Sequence, residues 1–499
     1  YNTAVGYRAL EEFTTGGYNA ILGQEAGEKI TTADANALLG YRAGRNLTTG
    51  GGNVVIGYEA VRDNNVTEVV IVGARAGLYN SGADNVFVGN QAGRNSGAGA
   101  DQVIIGHDAG YYAHNNDVVI IGESAGYYAT GSNNVFIGKE AGKGGTTSLP
   151  YSSGQNNVAI GYQALVGFTT GDDNIAIGKE ALNDITTGTS NIAIGTGALD
   201  VATTADGNVA IGENAMGGIS SGIAASQCIA IGTNALLSSG DFVAGNSSYT
   251  IAIGMDAGRR ITVTAAGIYN TIIGTSAGSY LSTGGSNVIL GFTAMNQATT
   301  AGHSIAIGVY ALRTHTTGHS NIAIGSHAMD DTDAGSTSLD SDHNLAIGVN
   351  SMGGTWANTK SEHNIAIGNN SLDGALDGAY YNIALGQYSL SNLTTGDTNI
   401  AIGWASLEYI TAGSTNIAIG KQAMQVHTTG GDNIAIGHGA MDDTNAGSTS
   451  LGSSDNVFIG KSAGGGTWTD ADSNRNIAIG NYTMDAATAG ALDSVAVGH

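Results

Sequence analysis

The chain has 499 residues and a net charge of −24, with 17 Lys and Arg against 41 Asp and Glu, which argues against a nucleic-acid partner because phosphate binding needs basic stripes. Its one cysteine, Cys228, excludes an internal disulfide framework, and no apolar stretch approaches the ~20 residues of a membrane span. Eighty glycines beside a single proline, Pro150, suit a chain of many tight corners with few ladder-breaking residues.

An apolar run ending in glycine occurs 28 times, from Asn2–Gly6 to Ser494–Gly498. Seventeen of the 27 intervals between closing glycines are 16 or 17 residues, and the other ten are 18 to 23. Helical repeats need roughly 33 residues or more, so the period suits one rung of a β-solenoid. In Asn174–Ser190, Ile175-Ala176-Ile177 has strand composition and Gly178 supplies a corner. Glu180-Ala181-Leu182 is a second short run, and Thr186-Thr187-Gly188 makes the next corner. No window holds a helical period long enough to compete. The sequence predicts an all-β fold, a parallel β-solenoid or β-roll of about 28 rungs, stacked at about 4.8 Å into a rod of roughly 130 Å.

Taken in chain order, residues 1–143 form a smooth region. Residues 144–211 open on an interruption of the register at Gly144–Gln155 and then resume regular rungs. Residues 212–324 carry a first cluster of long loops, and 325–436 form a six-rung super-repeat with intervals of 23, 20, 18, 17, 17 and 17. Residues 437–499 begin that pattern again, so Ala328–Leu339 recurs as Ala440–Leu451 and Gly353–Trp356 as Gly465–Trp468. These are regions of one solenoid. Its first residue already lies inside a rung, so the chain is expected to be a segment of a longer polypeptide.

With the closing glycine counted as zero, positions −3 and −1 are apolar in nearly every rung and share one strand face. Position −2 points the other way and is apolar too, and a strand with two apolar faces is buried on both. Position −2 also trades volume with position +4. Fifteen rungs pair a small −2 with a large +4, as in Ala159 with Leu165 and Ala176 with Leu182. Nine pair a bulky −2 with glycine, as in Phe136 with Gly142 and Phe458 with Gly464. The two side chains are therefore expected to share one close-packed space in the rung interior, and the other face to meet a neighbouring chain. Asparagine fills position −4 in 21 of the 28 rungs, as expected of a stacked amide ladder, and Cys228 occupies that slot. Paired threonines such as Thr169-Thr170 offer one outward hydroxyl per rung, which keeps ice binding only as an alternative.

The repeated "NIAIGxxAL…TTGxxN" phrase, as at Asn174–Gly188, resembles the repeats of phage and phage-like tail fibre proteins. It is also similar to the "SVAIG" repeats in the head domains of YadA-like trimeric autotransporter adhesins. The resemblance covers the whole chain and implies a homotrimer, left-handed parallel β-rolls in the adhesin case, and a virion or cell-surface location. Its implied partners are further copies of the chain, other fibre or virion proteins, and a host-surface polysaccharide or protein receptor.

Binding residues are expected on the longer loops, the customary binding edge of a solenoid. Trp356, Trp468, Tyr380 and Tyr381 are aromatic rings in otherwise small, polar loops, expected either to cover a loop against the shaft or to stack on sugar rings as the candidate binding residues. The acidic loop residues Asp330, Asp331, Asp333, Asp340, Asp342, Asp442 and Asp443 suggest at most loosely bound Ca2+, since their spacing matches no calcium motif. The histidines scatter among loops and rung edges without zinc spacing, and there is no nucleophile elbow, P-loop or nucleotide fingerprint. No catalytic residue or resident cofactor is therefore expected. The predicted role is a structural fibre shaft with receptor contacts on its loops, against an adhesin head, a glycan-degrading tailspike or an ice-binding solenoid.

Overall fold

A computed structural model describes the chain except for residues 219–224, 238–246, 262–268, 333–339, 358, 443–451, 467, 469–471 and 487–489. The protein is an all-β parallel solenoid with 28 parallel rung strands, and the described residues contain no helix. Two compact units are present, one spanning Tyr1–Tyr249 and the other running from Thr250 to His499. Each holds fourteen rung strands, from Thr3–Val5 to Ile229–Ile231 in the first and from Ile251–Ile253 to Val495–Val497 in the second.

Register is kept without slippage, so that each position of the rung becomes a column. Ile175, Ala176 and Ile177 pair with Ile192, Ala193 and Ile194 in the next rung, and the same match recurs down each unit. Along the strand, positions −4 and −2 point inward, whereas −3 and −1 point outward and stay half-buried or exposed. This alternation is the pleat of an ordinary strand applied to a rung.

The run Glu180-Ala181-Leu182 is a turn rather than a second strand. Its first and last residues are left-handed, with φ of 58° and 50°, and the same pair recurs at +2 and +4 in most rungs. Left-handed backbone costs an L-residue roughly 1–2 kcal/mol. The turn persists because its amides pair between rungs: Glu180 N donates to Tyr162 O at 2.9 Å, and Leu182 N to Ala198 O at 3.0 Å. Parallel pairing therefore continues through the corners.

The closing glycine is required twice over. At Gly178 φ is +135°, and an added Cβ would stand 2.5 Å from the carbonyl oxygen of Gly195 in the next rung. Conformation and space both exclude a side chain there.

The interior confirms the exchange between −2 and +4. Ala159, Leu165, Ala176, Leu182, Phe136 and Phe458 are all fully buried. A Cβ on Gly93 would approach the Phe87 ring to 2.7 Å, one on Gly464 would approach Phe458 to 2.8 Å, and one on Gly142 would enter the Phe136 ring. The shared space is also larger than one rung. A Cβ on Gly77 would lie 2.9 Å from Ile71 in its own rung and 3.1 Å from Phe87 in the next, and Gly126 stands likewise between Ile120 and Phe136. A bulky −2 thus reaches back over the preceding corner, which favours runs of bulky/glycine rungs such as those in residues 1–143.

Asparagine builds the second interior column. Asn174 Nδ2 donates to Gly188 O across its own rung at 2.9 Å and to Asn157 Oδ1 at 3.2 Å, while Asn174 N donates to the same oxygen at 2.9 Å. Every polar atom of the buried amide is used, as burial demands. Cys228 takes this slot as expected, and its backbone N–H still donates to Asn208 Oδ1 at 2.9 Å.

Candidate functional site: the outward columns and the loops

The outer surface of the rung strands carries two adjacent columns made mostly of Val, Ile and Leu, with Thr3, Ala20, Ala37 and Thr271 among the −3 residues. Copies above and below cover the flanks of each side chain, so only the tips remain open. Val70 is 41% exposed, Ile194 37%, Ile367 39% and Ile479 42%. No charge interrupts these columns within the strands of either unit. Isolated soluble chains rarely expose more than a few hundred Å² of contiguous apolar surface in one patch.

In the N-terminal rungs, the neighbouring turn carries an interleaved set of acids and arginines. Glu28 lies between Arg8 at 2.6 Å and Arg45 at 2.5 Å, and Glu59 lies between Arg62 at 2.9 Å and Arg75 at 3.1 Å. Burial pushes the Glu59 carboxyl up, but the hydrogen bonds from Arg62 and Arg75 more than reverse this and leave it below its ordinary range. Each acid bridges rungs, so the network clamps the stack.

The loop aromatics divide between packing against the shaft and open exposure. Trp356 and Trp468 are fully buried, and the Trp468 indole N–H donates to Gly464 O at 3.1 Å while its ring packs edge-on against Phe458 at 5.7 Å. Both lie in the interior, so neither presents a face for a sugar. Tyr380 is half-buried and its N–H donates to Asp397 at 2.7 Å. Tyr381 is 57% exposed and stacks on His363, which stacks in turn on His343, each at 4.9 Å. Of the four candidates, Tyr381 alone offers an open ring.

The described loop acids are largely engaged within the protein. Asp330 pairs with Arg313 at 2.9 Å, Asp331 accepts from Thr355 at 2.6 Å, and Asp342 accepts from the backbone N–H of His319 at 2.5 Å. The Asp340 N–H donates to Thr317 Oγ1 at 3.0 Å, and Asp442 lies beside Gly465. Asp333 and Asp443 lie outside the described residues. Among the described residues, no three His, Cys, Asp or Glu side chains converge as metal ligands.

Two histidines are not edge residues. His315 and His427 fill the +7 core column that holds Ile185 and Ile410 in other rungs, and both are 1% exposed. Burial lowers the His427 pKa to about 4 against the opposing hydrogen bond with Gly430.

Sequence reasoning missed a tyrosine cluster. The phrase "GYYA" at Gly110–Ala113 returns at Gly126–Ala129, placing Tyr111 on Tyr127 at 4.8 Å and Tyr112 on Tyr128 at 5.8 Å. The Gly144–Gln155 interruption brings Tyr151 against Tyr112 at 4.5 Å. The doubled tyrosine at the same rung position was the available signal.

The chain matches no protein-family model and no curated protein.

Proposed function

We propose that the chain is a shaft segment of a phage or phage-like tail fibre, assembled as a homotrimer whose outward Val/Ile/Leu columns face neighbouring copies. The observation that carries this is the pair of charge-free, mainly apolar columns on the outside of a sheet whose inside is already filled, broken only by Thr3 and Thr271 among the described strands. A parallel sheet is ordinarily covered on both faces, and here the rung itself covers one. Rungs that differ only at their loops leave the columns unchanged, as a shaft requires. The tail-fibre phrase of the repeats agrees with this assignment.

Immunogold electron microscopy of the producing culture tests the role, using antibodies raised against the chain. Label along the fibres of virus-like particles is the expected result. Label confined to the bacterial surface would replace the fibre with an adhesin.

A further inference from the structure

Tyrosines at position +6, exposed at Tyr79 and half-buried at Tyr112 and Tyr128, form a column that has one break. Tyr79, Tyr112 and Tyr128 occupy that position in their rungs, and Asn95 occupies it between Tyr79 and Tyr112. Tyr112 and Tyr128 stack with 11° between their planes. Above Asn95 the column therefore opens into a cleft of about 280 Å³, lined by Tyr79, Asn95, Tyr112, His114, Leu149 and Tyr151 together with Gly97. Leu149 and Tyr151 come from the Gly144–Gln155 interruption, which folds back over these earlier rungs.

The cleft has the size and chemistry for one flat, polyhydroxylated ring. Tyr79 and Tyr112 are two rung steps apart, about 10 Å, so a ring midway lies about 5 Å from each, within the distances at which aromatic faces stack. The axial C–H groups of a pyranose suit such faces, whose π-clouds are negative. Also lining the cleft, the half-buried Asn95 carboxamide and the exposed His114 imidazole make no side-chain hydrogen bond within the described residues. One amide supplies both donors and an acceptor, the pair that adjacent sugar hydroxyls require. Partial desolvation lowers the His114 pKa, which favours the neutral ring. No carboxylate lines the cleft, and the net charge of −24 opposes anionic polymers. A proline-rich peptide at about 3.1 Å per residue would place only about three residues across two rung steps, too few for a PxxP motif to engage along its length.

We infer that this cleft is a binding site for a neutral hexopyranose unit of a surface polysaccharide, sandwiched between Tyr79 and Tyr112 and held through its hydroxyls by Asn95 and His114. The site is complete within one chain and is independent of trimer assembly.

Calorimetric titration of the full chain with maltohexaose, cellohexaose, mannohexaose and chitohexaose tests it, with a hexagalacturonate and a decaproline peptide as competitors. At least one neutral hexaose should bind with one site per chain, and Tyr112→Ala should weaken it at least tenfold. Asn95→Tyr extends the existing tyrosine column, so it should abolish binding while leaving the melting temperature unchanged or raised. Failure of all four neutral sugars, binding that survives Asn95→Tyr, or binding only of the polyanion or the peptide would each overturn the assignment.

Discussion

Filling the space between Ala176 and Leu182 gives the sharpest test of the interior code. Both side chains are fully buried on opposite sides of the Gly178 corner. Ala176→Phe alone places a ring where Leu182 already stands, and overpacking of this kind costs about 3 kcal/mol at the top of its usual range. Leu182→Gly alone loses a buried leucine, about 2–5 kcal/mol with its cavity, and regains about 1 kcal/mol because φ at Leu182 is 50°. Added independently, the two changes would cost about 4–7 kcal/mol. Combined, they recreate the Phe136/Gly142 arrangement and should cost only about 1–3 kcal/mol, a favourable coupling of about 3 kcal/mol. The remaining cost comes from Leu165, the +4 residue of the preceding rung, because Phe136 and Phe87 reach back over Gly126 and Gly77. Adding Leu165→Gly to the pair should therefore recover local order at its own strand without further loss at Ile175–Ile177. Hydrogen exchange at the amides of Ile175–Ile177 is the suitable assay, since repeat arrays open locally and a single unfolding midpoint averages over rungs. Additive losses in the double variant would refute the shared-space account.

Gly178→Ala should cost at least about 3 kcal/mol, because the new Cβ meets the Gly195 carbonyl and φ of +135° is glycine territory; unchanged exchange protection on either side of Gly178 would contradict this. Asn174→Ala strips the Asn191 N–H and side-chain amide of the oxygen they share, and should cost about 2–5 kcal/mol through two buried donors left unpaired, read by loss of protection spreading into the next rung. For His427, the folded pKa of about 4 lies below the ordinary 6.5, so the unfolded chain binds the extra proton between those values. Stability from the neutral ring is full above pH 6.5 and falls by about 3 kcal/mol as the pH drops to 4. His427→Ile should remove that loss. Asp373, raised to about 6 by burial against a hydrogen bond from Gly353, titrates with the opposite sign, so the readout is the difference between the two chains across pH 7 to 4.

The strand phrase and the closing glycine, repeated 28 times, were legible together with the asparagine ladder in 21 rungs and the −2/+4 exchange in 24, because repetition turns a local preference into a column. Leu182 shows where that stopped. An apolar run after a glycine has strand composition, and only the inter-rung pairing of its neighbours reveals that its ends are left-handed. For Trp356 the sequence left two readings open, because a large ring in a loop reads the same whether it points to solvent or turns inward, as Trp468 does beside Phe458. His427 reads by residue type as an edge residue, but it stands at +7, the position that isoleucine fills in other rungs, and there position outweighs residue type. The sugar-sized cleft was hidden because Tyr79, Asn95, Tyr112 and Tyr151 come from four rungs and meet only through stacking.

The outward columns make the central claim measurable. Sedimentation equilibrium of the full chain should return about three times its 49.9 kDa, and Ile400→Glu with Ile402→Glu, both on the outward face, should reduce that mass while leaving the far-ultraviolet β signal intact. A stable species of 49.9 kDa from the unsubstituted chain would contradict the assembly.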